Sequence, residues 1–198
     1  AATGLDALTH AIEAYVSCKA QPMTDVLAIS AIRLLSENLP RAWTNGKDIE
    51  ARENTMLASY QAGLAFGNAS VALVHGMSRP IGAYFHIAHG LSNAVLLGDV
   101  MEFSLSGNPK RYVDIAAAIG ENVAGIDDMK AASAGARAIK RMIRQLKIPR
   151  LSELGIDKVR FDDVIPQMIE AAIASGSPDN NPKIATKEEM AEIYKQVF

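Results

Sequence analysis

A single cysteine, Cys18, stands in 198 residues. No disulfide can form within the chain, and a reducing, cytoplasmic setting fits that usage. Charge of one sign is lacking too: 20 lysines and arginines face 22 aspartates and glutamates, a formal net charge of -2. The balance gives no electrostatic reason to expect nucleic acid or an anionic membrane surface as a partner. No apolar run reaches the roughly 18 unbroken residues of a transmembrane helix. The opening Ala-Ala-Thr-Gly-Leu-Asp has no basic stretch leading into an apolar core, and is not expected to act as a secretory signal.

Strand patterning is missing as well. Valines, isoleucines and aromatics do not fall into alternating runs between turn signals, so the chain reads as all-α, a multi-helix bundle. With 49% apolar residues it can bury a substantial core, and one domain is the default count. Several chemical signatures are absent. There is no phosphate-cradling glycine loop in a strand-turn-helix setting, no Gly-x-Ser-x-Gly elbow, no His-Glu-x-x-His and no metal-knuckle cysteine pair.

The helices can be placed from caps and periodicity. Thr3 is expected to cap the first, with Asp6 completing a capping box, and the helix runs from Leu5 to about Ser17. Pro22 opens a second helix that reaches Asn38-Leu-Pro40, before a turn at Trp43–Gly46. Asp48 to Phe66 reads as the central helix of the bundle, because its later part is rich in small residues. Gly67–Ser70 is a break, Ser70 caps the helix carrying His75, and Pro80 and Gly82 end it. A loop carries His86 to Gly90, and Leu91 to Met101 forms a buried helix. Further helices are expected over Tyr112–Ile119, Asp127–Leu146 and Phe161–Ile173, with Pro166 in or near the first turns of the last. The basic face of Asp127–Leu146 reads as solvated. Thr186 caps a final helix to Phe198.

What the chain does have is an unusual placement of its four histidines. His75, His86 and His89 lie in one short stretch, and His10 follows Asp6 by four residues. Residues four apart on a helix share a face. A carboxylate on that otherwise apolar face is costly unless it is paired or bound to a cation. Asp6, His10, His75 and His89 can therefore supply one oxygen and three nitrogens to a divalent metal, a set that suits zinc, ferrous iron or cobalt about equally. Hydrogen-bonded polar groups in a core remain the alternative. His86 reads as a pocket or proton-relay residue. Cys18 reads as a small apolar residue in a helix.

The stretch Ala2-Thr-Gly-Leu-Asp-Ala-Leu-Thr-His-Ala-Ile-Glu-Ala-Tyr15 closely resembles the start of the helical domain of the iron-containing (group III) alcohol dehydrogenases. Ala28–Leu35, Glu50–Leu57, Ala62–Phe66, His75–Leu97 and Asn181-Pro-Lys with Thr186 match the same family in order. The resemblance implies the C-terminal domain of a dehydroquinate synthase-like fold. Residues 1–198 would form a helical catalytic domain, with 1–101 carrying the site and 102–198 completing it. It further implies a ligand set of Asp6, His10, His75 and His89, holding Fe(2+) with Zn(2+) as a possible substitute. The activity implied is hydride transfer between a small alcohol, with its aldehyde or ketone, and NAD or NADP. The nucleotide would be held by an N-terminal α/β domain that this chain does not contain. The isolated chain is accordingly expected to be inactive, and the complete enzyme to be a homodimer or larger homo-oligomer.

Three positions depart from the pattern. Arg79 stands where many members have a histidine four residues after the His75 position. Ala88 replaces a proline often found before the last ligand, and His86 is unusual. The resemblance suggests that Arg79 anchors a carboxylate or phosphate while His86 takes over proton transfer; pairing of Arg79 with a core or interface acid is the plainer option. Two other functions compete: a zinc-dependent glycerol-dehydrogenase-like polyol oxidoreductase, and a non-catalytic helical assembly domain.

Overall fold

The computed structural model describes residues 1–198 as nine α-helices with short 3-10 turns and no strand. Helix α1 (Ala2–Val16) is buried on nearly every side. Such a position requires an apolar surface all round, and Leu5, Leu8, Ala11, Ile12 and Val16 supply it. Its buried Thr9 hydroxyl is satisfied within the helix, donating to the Leu5 carbonyl at 2.8 Å. Ala1, not Thr3, occupies the cap, and it has no capping side chain. Thr3 lies two positions past the cap, already inside the helix.

Helix α2 (Pro22–Thr44) begins at a capping box between Gln21 and Thr24, with Pro22 in its first turn. It does not stop at Pro40. A proline removes one amide donor and crowds one carbonyl, at a cost of about 3 kcal/mol in a helix interior. Here Leu35 and Leu39 hold the flanking turns in the core. Leu39 lies over Gly4 so closely that a Cβ there would be 2.3 Å from its Cδ1.

Helix α3 (Ile49–Ala69) is capped by Asp48, which accepts from the Ala51 amide. Its small residues do bring it close to α1 and α2, through a buried stripe of Ala51, Ala58, Ala62, Ala65 and Ala69. The helix is peripheral, however, and α1 is the central one. The outer face of α3 exposes Ile49, Met56, Tyr60 and Leu64. Helical structure also runs through Gly67 to Ala69 before the chain turns at Ser70, whose φ is 66°.

Helix α4 (Leu73–Phe85) carries Pro80 inside it and passes Gly82 before ending at His86 in the left-handed region. Ser70 does not cap it; the cap position is Ala72. After three residues α5 (His89–Ser104) follows. The rest comprises α6 (Pro109–Ala118), α7 (Asp128–Gln145), α8 (Lys158–Ala174) and α9 (Lys187–Val197). Asn108, Asp127, Asp157 and Thr186 cap them in that order. Pro166 lies mid-helix in α8 rather than near its start. Pro166 and Asp162, whose carbonyl it frees, are both on the exposed face, where water can satisfy that oxygen.

One core cluster runs from Leu5 to Val197. The second half of the chain braces α4 from behind: α8 packs on it, and the Tyr194 hydroxyl of α9 donates to the Met77 carbonyl at 2.7 Å. The basic face of α7 is not simply solvated. Lys140 pairs with Asp99 and Glu102 of α5, and Arg141 with Glu121. Cys18 sits exposed in the turn after α1 rather than in a helix. No helix is long and apolar enough to cross a membrane.

Candidate metal centre

Asp6, His10 and Glu13 lie at i, i+4 and i+7 on α1, one stripe of a single helix face. That face meets the first turns of α4 and α5, which bring His75 and His89. The approach of α5 depends on Gly90, where a Cβ would lie 2.8 Å from the Ala2 carbonyl oxygen and 3.2 Å from Asp6 Cβ. Only a residue without that atom lets the start of α5 rest on α1.

The Asp6 carboxylate is the focus of the cluster. Its Oδ1 lies 3.7 Å from His75 Nε2, 3.7 Å from His89 Nε2 and 3.7 Å from His10 Nδ1. Donors held about 2.1 Å from one tetrahedral ion stand roughly 3.4 Å apart, so the Nε2 atoms of His75 and His89 stand at a spacing from Asp6 that suits a shared cation. Asp6, His10 and His75 form the tightest group, with ligand atoms all within 4.8 Å of one another. The His10 ring lies between Phe66 and His75, with centroids 4.1 Å and 4.2 Å away. Its Nδ1 donates to the Asp6 carbonyl at 2.9 Å, which leaves Nε2 with a lone pair.

Asn93, one turn after His89 on α5, tests whether the pocket suits a cation. Its Nδ2 lies 2.5 Å from Asp6 Oδ1, 3.1 Å from His75 Nε2 and 3.2 Å from His89 Nε2. An amide nitrogen has two hydrogens, and three electron-rich atoms converge on it. Its Oδ1 is buried without a partner. With His75 neutral the pocket holds more acceptors than donors, and either a proton on His75 or a divalent cation supplies the missing positive charge.

The local charges agree. Burial opposes ionisation of Asp6, but hydrogen bonds from His75 and Asn93, with the neighbouring imidazoles, outweigh it and lower its pKa. Burial and the adjacent His75 push His10 down to about 4. Burial also disfavours charge on His75, yet Glu13 and Asp6 together lift it to about 9. Two carboxylates thus draw positive charge to the His75 ring, and a divalent ion at Nε2 meets the same demand. The floor of the site is closed and its mouth open: the His75 side chain is 2% exposed, that of His89 49%.

Glu13 was not singled out by sequence reasoning. Its Oε2 lies 2.6 Å from His75 Nδ1 and accepts from the Ala72 amide at 2.9 Å, while Oε1 accepts from the Val74 amide at 2.5 Å. Its position three residues after His10, on a helix otherwise apolar, was the available signal. The other two expected site residues lie apart from these contacts. Arg79 is exposed and donates to Ser177 Oγ at 2.9 Å rather than to an acid. His86 is exposed at the left-handed end of α4.

The Fe-containing alcohol dehydrogenase family, in its C-terminal part, matches residues 1–198. The chain belongs to the iron-containing alcohol dehydrogenase family. It is 44% identical over 199 residues to the 1,3-propanediol dehydrogenase of Citrobacter freundii, covering 100% of this chain and 50% of that protein. With the NAD-dependent methanol dehydrogenase of Bacillus methanolicus it shares 40% identity over 198 residues, 100% of this chain and 51% of that one. The crystal structure of a 1,3-propanediol oxidoreductase superposes with a TM-score of 0.95 at 41% identity, over 100% of this chain and 51% of that structure. The chain spans about half the length of the curated relatives it matches. The all-α architecture of the family's C-terminal part is the fold found here.

Proposed function

We propose that this chain is the metal-holding part of an NAD(P)-dependent enzyme that interconverts a small alcohol and its aldehyde or ketone. The observation that carries the reading is the convergence of three imidazoles on one oxygen of Asp6, in a pocket short of donors. Asp6, His10, His75 and His89 are the ligands, with Fe(2+) the working ion and Zn(2+) a substitute. Bound there, the ion supplies Lewis acidity to the oxygen of an alcohol or carbonyl.

The chain's own residues prepare that chemistry. Phe66 packs against one face of the His10 ring and limits its movement. Asn93 donates to Asp6 and keeps the carboxylate turned toward the imidazoles. The exposed His89 side leaves an approach for substrate. The nicotinamide comes from outside this matched half, and must lie within about 3.5 Å of the reacting carbon. Arg79, tied to Ser177, and His86, at an exposed helix end, take no step in this scheme. Support for small alcohols comes from the relatives, which include a 1,3-propanediol dehydrogenase, a methanol dehydrogenase and a lactaldehyde reductase of Escherichia coli.

Elemental analysis of the purified chain is expected to give one divalent ion, lost in D6A and in H75A. Joined to the remaining half of the Citrobacter relative, the chain is expected to oxidise a short alcohol with NAD or NADP, and the D6A form is not. Full metal content in both variants, or no turnover by a folded, metal-loaded fusion, would contradict the proposal.

A further inference from the structure

Helix α4 begins without a capping side chain from its own segment. The free amides of its first turn are met from across the molecule. Glu13, only 2% exposed, places Oε2 on the Ala72 amide and Oε1 on the Val74 amide. A buried carboxylate is costly unless its oxygens are satisfied, and a helix N-terminus is a favourable place for it. The same Oε2 also faces His75 Nδ1 at 2.6 Å. One carboxylate thus holds both the first turn of α4 and the imidazole that the turn carries. A carboxylate only accepts, so Nδ1 carries the hydrogen and Nε2 is the atom presented to Asp6.

We infer that Glu13 is the positioning residue of this centre: it fixes the His75 ring in the form that offers Nε2 to a cation, and ties α4 to the helix that bears Asp6 and His10. The inference rests on the metal reading above. Its physical content is an orienting acid behind a ligating histidine, an arrangement whose loss weakens metal binding about 10- to 100-fold. Glu13→Gln is the informative change. The amide keeps the shape but has one acceptor and one donor end. If its nitrogen faces His75, Nδ1 must accept, and the ring hydrogen moves to Nε2, between the ring and the cation. If its nitrogen faces Val74, two donors oppose each other at the helix start.

Cobalt(II) is the probe, titrated by calorimetry and visible absorption into the 198-residue wild type, E13Q, E13D and D6A. Zinc-loaded samples serve for nitrogen-resolved NMR of the His75 ring. Wild type is expected to bind one cobalt and D6A none; failure of the wild type to bind removes the metal reading itself, whatever E13Q does. With that reading intact, E13Q is expected to bind cobalt 10- to 100-fold more weakly and to lose the strongly low-field Nδ1 proton of His75. A pure helix cap would lower unfolding stability without moving that proton or the affinity. E13D, which keeps the charge but draws the carboxylate back, covers the case of an unfolded E13Q, and is expected to weaken cobalt binding at least several-fold. Wild-type affinity and an unchanged Nδ1 signal in E13Q would overturn the inference. So would wild-type affinity in a folded E13D.

Discussion

Asn93 shows how a single side chain can be both satisfied and short of partners. Its nitrogen serves Asp6 and two imidazoles, while its oxygen is buried with nothing to accept from. Asn93→Ala removes the closest donor to an ionised, partly buried carboxylate, a contact worth about 1.5–3 kcal/mol. Removal of the orphaned oxygen returns part of that. A net loss of about 1 kcal/mol is expected for the metal-free protein in urea unfolding, and a stability equal to wild type would contradict this reading of the pocket. Asp6 and His10 were legible in the sequence because they need only one helix to come together. Glu13 and Asn93 were not. The partners that define their roles, Ala72 for Glu13 and Asp6 for Asn93, lie 59 and 87 residues away, and alone each looks like an ordinary polar residue on a helix.

Helix identity was legible, and helix ends less so. Thr186, expected as a cap, is one, and Asp48 and Asp127, expected as the first residues of their helices, prove to be the caps. Pro40 and Pro80 misled, because core packing on both sides of each outweighs one lost hydrogen bond. Ser70 misled for another reason: the cap of α4 arrives from α1. Two glycines separate packing from propensity at this scale. Gly90→Ala drives a Cβ into the Ala2 carbonyl and the Asp6 side chain. It is expected to cost about 1–3 kcal/mol and to weaken metal binding, since overpacking must push α5 off α1. Gly63, on the open side of α3, has nothing within 4 Å of an added Cβ. Gly63→Ala is expected to stabilise the chain by about 0.5–1 kcal/mol through helix propensity alone. Chemical denaturation of the pair checks both signs, and a stabilising Gly90→Ala would mean that the α1–α5 contact is looser than drawn here.

The whole molecule is arranged around α1. It carries Asp6, His10 and Glu13, and α2, α3 and α5 surround it, while α8 and α9 hold α4 against the site from behind. All-α class and the grouping of four ligand candidates could be read from the chain, because absent strands and an i, i+4 pair are local facts. The central position of α1 could not: it depends on which helix the alanine stripe of α3 packs against. The central claim is that one divalent ion is held by Asp6, His10, His75 and His89. Crystals grown anaerobically with iron(II), measured on either side of the iron absorption edge, test it most directly. The expected result is a single anomalous peak about 2.0–2.2 Å from one Asp6 oxygen and one nitrogen of each histidine. Iron bound elsewhere in the chain, with no peak between these four residues, would contradict it.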